Sequence, residues 1–170
     1  MVDRDASTPT ATGKPTPSSP GALRRAVVVA GHKGDAATAR SHLDDGDPAV
    51  RSAALGALQR AADLSTDDLH TAALDPEPTV RARVAELAAM LGEGSSDQAA
   101  HRDALEEVLL TLVRDHNDTV VEVAAFALGE LGTGTEGGTD GAEDLPTAPR
   151  SVAALTEVAT GHRDALCREA

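Results

Sequence analysis

Apolar residues recur along the middle of the chain with one spacing, three times over. From Val50 they fall at Ala54, Ala57, Leu58 and Ala61; from Val80 at Val84, Leu87, Ala88 and Leu91; from Val120 at Ala124, Ala127, Leu128 and Leu131. Positions four, seven, eight and eleven residues on lie along one stripe of a 3.6-residue helix. Each stripe is entered from a similar start, in "DPAVRSAALGAL", "EPTVRARVAELA" and "NDTVVEVAAFALGELG". Asp47 suits a helix N-cap and Pro48 the first helical position, where a missing N–H costs nothing. Amphipathic segments at Thr66 to Leu74, Ala100 to Asp115 and Ser151 to Thr160 predict helices between and after the stripes. Upstream, the pattern predicts a helix over Ala22 to His32, with Gly31 and Gly34 marking its end, and a short one over Asp35 to Leu43.

The order is therefore helix A, turn, helix B, repeated. Val50 and Val80 are 30 residues apart and Val80 and Val120 are 40 apart, the longer step holding the insertion "GEGSSDQ". A period in this range signals stacked helical hairpins. One hairpin cannot bury its own stripe, so like units must stack, and each must enter its turn at the same angle. A further unit opens at "SVAALTEVATGH" and continues in "RDALCREA", with Leu166 at the Val50 position and Ala170 at the Ala54 position. It stops in mid-stripe, where stacked repeats ordinarily carry a polar cap, as expected of a fragment or truncated product. Residues 1–20 are rich in Ser, Thr and Pro and read as a disordered tail. Residues 132–149 are glycine-rich and acidic and read as a mobile loop.

The start Asp-Pro-x-Val-Arg, the small apolar pairs and the ending Ala-Leu-Gly-x-Leu-Gly appear here as "DPAVR", "EPTVR" and "FALGELG". This pattern resembles HEAT repeats, in particular the short HEAT-like repeats related to phycobilin lyase subunits, over about residues 21–170. The resemblance implies an all-α fold, a right-handed α-solenoid of stacked HEAT-like hairpins whose B helices line a concave face. It also implies a ladder in which the turn arginine meets the turn aspartates. The arginine position is filled by Arg51 and Arg81, then by Val121 and Cys167, so the ladder is expected to stop after two rungs. For function it allows a protein-interaction scaffold, an accessory protein for tetrapyrrole attachment, or a structural spacer.

Composition narrows these choices. Aromatic residues make up 1% of the 170, a single Phe with no Trp or Tyr, and the net charge is −13. An acidic chain without stacking platforms is a poor ligand for phosphate backbones or for single strands, and an anionic membrane repels it too. The start "MVDRDASTPT" lacks the apolar stretch of a signal peptide, and "AVVVA" is too short to span a bilayer. The expectation is a cytoplasmic protein that binds neither nucleic acid nor membrane.

No motif supplies chemistry. Gly132, Gly134 and Gly137 spell G-x-G-x-x-G, but a dinucleotide fingerprint needs a strand before it and a helix after it. Here a predicted helix precedes it and more glycine and acid follow, the mark of a linker. Six histidines lack the spacing of a metal motif. The iron-binding His-Glu dipeptides of deoxyhypusine hydroxylase, which this fold resembles, are missing, and so is the basic aromatic face of the HEAT-like DNA glycosylases. His116 and Asp118 could share a turn with His162 and Asp164, with capping or solvated roles preferred. The acidic turns Asp44, Asp45, Asp47 and Asp67, Asp68 read as helix caps. Cys167 reads as passive. No catalytic, metal or cofactor site is expected.

What remains is the side of the B helices opposite the stripe. It carries Ser52, Gly56 and Gln59, then Ala82, Glu86 and Ala89, then Glu122, Phe126 and Gly129, a small, smooth and somewhat acidic surface. Gln59, Glu86, Glu122 and Phe126 are the candidate contacts for a protein partner of basic character. Phe126 is either an exposed anchor there or packed on a neighbouring repeat, and packing is the preferred reading because stacked helices are covered on several sides. The expected function is a non-enzymatic interaction module.

Overall fold

Helix starts follow the capping residues. In the computed structural model, which describes residues 19–92, 99–133, 150–162 and 167, eight helices and no strand occur among the described residues. They are α1 (Pro20–His32), α2 (Ala36–Arg40), α3 (Pro48–Arg60), α4 (Thr66–Ala72), α5 (Pro78–Gly92), α6 (Ala99–Leu112), α7 (Asp118–Thr133) and α8 (Arg150–Gly161). The Ser19 and Asp47 side chains accept from the amides of Ala22 and Ala49, with proline in the first turn of both helices. Ser65 and Asp68 form a reciprocal capping box on α4. Helix α1 thus opens at Pro20, two residues before the expected Ala22. Of the tail expected over 1–20, residues 1–18 lie outside the described residues, as do 134–149 of the expected loop, Leu166 and Ala170. No helix among the described residues is long and apolar enough to cross a membrane.

The odd-numbered helices pack side by side in the order α1, α3, α5, α7. The even-numbered ones lie against them: α2 on α1 and α3, α4 on α5, α6 on α5 and α7, and α8 on α7. Helix α6 also touches α4 and α8. Burial follows this arrangement. Val50, Ala54, Ala57 and Leu58 are buried, and so are their counterparts Val80, Val84, Leu87 and Ala88 and then Val120, Ala124, Ala127 and Leu128. Leu55, Ala85 and Ala125, five residues after each valine, are buried as well. They widen the stripe because each inner helix is covered by an odd-numbered neighbour in addition to an even-numbered one.

Near the end of α1 one glycine departs from expectation. Gly31 lies inside the helix and is buried; a Cβ there would come within 2.5 Å of the Ala57 Cα on α3. Its role is close approach of two backbones. The helix ends at His32 as expected, and Gly34 marks that end, its φ of +71° suiting glycine. The Gly34 amide donates to the Gly31 carbonyl and the Asp35 amide to the Ala30 carbonyl, closing a Schellman motif.

Candidate interaction surface

The repeated turns order everything else. Asp45, Asp75 and Asp115 stand five residues before the three valines, and each carboxylate accepts the backbone N–H two residues on, from Asp47, Glu77 and Asn117 at 2.8–3.0 Å. Two arginines then tie successive turns together. Arg51 donates through Nε and Nη2 to Asp75 at 2.7 and 2.6 Å, and through Nη1 to the Asp45 carbonyl. Arg81 repeats the contact one unit on, to Asp115 at 2.6 and 2.8 Å and back to the Asp75 carbonyl. These are the two rungs expected from the sequence. At the third position the buried Val121 has no donor to offer. At the fourth, the buried Cys167 thiol donates to the Asp118 carbonyl at 3.1 Å.

The rungs are charge-assisted and two-pronged, the strong form of this contact. Hydrogen bonds to their carboxylates raise Arg51 and Arg81 above the ordinary guanidinium value. For Asp75 and Asp115 burial works upward, but the arginine and amide hydrogen bonds outweigh it and hold both carboxyls below their ordinary range. Arg40 makes an exposed version of the contact, to Asp63 and Asp68 at 2.9 and 2.8 Å. A recess of about 660 Å³ over these turns is lined by Arg40, Arg51, Asp45, Asp68 and Asp75 among others. Its two arginines are already engaged by carboxylates, so it is structural in character.

The histidines do not converge. His42 and His116 lie 3.5 and 3.4 Å from Asp45 and Asp115, and His162 Nε2 lies 3.9 Å from Asp118 Oδ1. The Asp118–His162 pairing brings together the turns that the sequence placed side by side; Asp164 lies outside the described residues. No group of three metal-ligating side chains occurs among the described residues.

The far side of the odd-numbered helices is open. Their starts superpose by register: Val28, Gly56, Glu86 and Phe126 form one row, and Arg24, Ser52, Ala82 and Glu122 another. Phe126 is 60% exposed, so the packed reading preferred from the sequence does not hold. The residue sits on the outward row of α7, and in the described residues no outer helix covers that side. Glu86 is exposed and ion-paired with Arg83 at 2.6 Å. Glu122 and Gln59 are half-buried.

A shallow groove of about 510 Å³ crosses α1, α3 and α5 on this face. Its floor is small residues, Ala49, Ser52, Ala53, Gly56 and Ala82, and its charged lining is Arg24, Arg60, Arg83 and Glu86. The expected acidic character therefore fails in this half of the face. Of the four predicted contacts only Glu86 lines the groove; Gln59 on α3 is not part of its lining, and Glu122 and Phe126 are on α7. The arginines were missed for two reasons. Arg60 and Arg83 stand at positions ten and three after their valines, outside the rows counted, and Arg24 belongs to a helix that lacks the repeated start. Aligning α1 on its C-terminal turn rather than on a start motif would have found Arg24.

The chain matches no protein-family model and no curated protein.

Proposed function

We propose that this chain is a non-enzymatic protein-interaction module: a right-handed α-solenoid of HEAT-like hairpins, working in the cytoplasm, that presents the outward face of α3, α5 and α7 to a protein partner. The observation that carries the reading is Phe126, the chain's one Phe, with no Trp or Tyr, held 60% exposed on a helix whose Val120, Val121, Leu128 and Leu131 are buried. A large apolar side chain fixed on a rigid element at low entropic cost is a good interface anchor. Met90, 48% exposed on the neighbouring helix, adds an adaptable apolar contact. The neighbouring Glu122 favours a partner with basic groups around an apolar centre, since charge complementarity sets encounter rate and selectivity.

The test is site-specific photocrosslinking. A benzophenone amino acid replaces Phe126 in one variant and Leu74, exposed at the turns, in another, and each is irradiated in host lysate. A discrete adduct from position 126 and none from 74 supports the reading. Equal, diffuse labelling from both positions overturns it.

A further inference from the structure

The groove across α1, α3 and α5 sits beside the proposed Phe126 interface but differs from it in chemistry. We infer that it is a docking site for an extended acidic peptide segment, whose carboxylates are received by Arg24, Arg60 and Arg83. The inference rests on the interaction-module reading for its biological sense, and on the groove alone for its chemistry.

Three observations carry it. First, the charge is local and mainly positive. Three arginines line the groove against one carboxylate, Glu86, in a chain whose net charge is −13. At physiological salt charges are screened beyond about 8 Å, so a ligand lying in the groove responds to these arginines and little to the acidic remainder.

Second, the arginines have binding capacity to spare. Arg24 is exposed and makes no ion pair with a described residue. Arg60 donates Nη1 to the Gly56 carbonyl of its own helix at 2.6 Å, a neutral acceptor that leaves four of five guanidinium N–H groups. Arg83 holds Glu86 at 2.6 Å through Nη1, with its Nη2 lying over Gly56, 3.0 Å from where a Cβ would be. A glycine there lets that guanidinium lie across α3, facing Arg60. Glu86 occupies the site as an internal carboxylate and marks the chemistry that fits.

Third, the floor suits a backbone. Ala49, Ala53 and Ala82 are small, while Ser52 and Thr79 offer hydroxyls to peptide N–H and C=O groups. Packed helices stand about 8–10 Å apart, so α1 to α5 spans about 16–20 Å, the length of about six extended residues. A nucleic acid strand is the poorer occupant. It needs stacking partners that the groove does not contain, and its charge continues past the groove into the acidic surroundings.

The experiment uses the whole chain and fluorescein-labelled hexapeptides, acetyl-Glu-Glu-Ala-Glu-Glu-Ala and the same sequence with lysine for glutamate, read by fluorescence polarisation at physiological ionic strength, about 0.15 M. The acidic peptide is expected to bind and the basic one not. Arg24→Ala combined with Arg60→Ala weakens binding at least tenfold, while Arg114→Ala in the turn after α6 leaves it within twofold; circular dichroism checks that each variant stays helical. Glu86→Gln, which frees Arg83, tightens binding several-fold, an outcome that damage to the fold does not produce. Absence of acidic-peptide binding, equal binding by the double variant, or stronger binding of an oligothymidine of matched charge each overturns the inference. None of these results touches the crosslink from position 126, so the two proposals fail separately.

Discussion

Arg81 and Asp115 face each other edge-on, with Nε to Oδ2 at 2.6 Å and Nη2 to Oδ1 at 2.8 Å, and both side chains are less than one-tenth exposed. The pair joins the first turn of α5 to the turn before α7. Removing one partner strands a buried charge, and such losses cost about 3–5 kcal/mol. Arg81→Ala is therefore expected to lower stability by about 3 kcal/mol or more, and Arg40→Ala, at the exposed version of the contact, by much less. Urea denaturation of the two variants side by side checks this; equal losses would refute the ranking.

The same pair predicts an acid limit. The Asp75 and Asp115 carboxyls are held below their ordinary range in the folded chain, so the unfolded chain binds protons more readily there. Their contribution is complete above the unfolded carboxyl value, about 3.9, and drains away as pH falls through the lower folded values. Stability should hold from pH 7 to about 5 and then fall steeply below about 4. Asp115→Asn begins less stable and falls less over that range. Urea midpoints at a series of pH values measure both slopes.

Two helices end in the same way with different residues. After α3, Ala62 takes φ +55°, its amide donates to the Gln59 carbonyl, and the Asp63 amide donates to the Leu58 carbonyl. This repeats the motif at Gly34 with an alanine where glycine fits better. Ala62→Gly is expected to stabilise by about 0.5–1 kcal/mol, the relief of a left-handed alanine less the entropy a glycine adds to the unfolded chain. Gly34→Ala should destabilise by a similar amount. Thermal midpoints moving in opposite directions are the expected result; a fall in both would contradict it.

Gly31 supports the packing of α1 on α3. A side chain there meets backbone, with the Ala57 Cα at 2.5 Å and its carbonyl oxygen at 2.8 Å, and backbone cannot swing aside. Gly31→Val should cost about 1–3 kcal/mol as overpacking, concentrated at the N-terminal edge. Hydrogen exchange would report lost protection in α1 with α7 little changed.

The stripes at Val50, Val80 and Val120 were legible because a helix buried on one side writes that side into its own spacing. Asp47, Ser65 and the prolines marked starts because free N–H groups must be capped wherever a helix begins. The two arginine rungs were legible through the resemblance and the spacing together. Gly31 was misread because a glycine near a helix end signals termination in one dimension, whereas here it answers a neighbour 26 residues further along the chain. Phe126 was misjudged for the converse reason: nothing local says whether a third helix covers a given face.

Secondary structure, turn chemistry and the order of packing units were thus determined by the sequence, since each depends on residues within a few positions of one another. The breadth of the buried surface at Leu55, Ala85 and Ala125, the exposure of Phe126 and the gathering of Arg24, Arg60 and Arg83 were decided only by tertiary structure. Each depends on which side of one helix meets which side of the next, and helical periodicity describes a single helix without its neighbours.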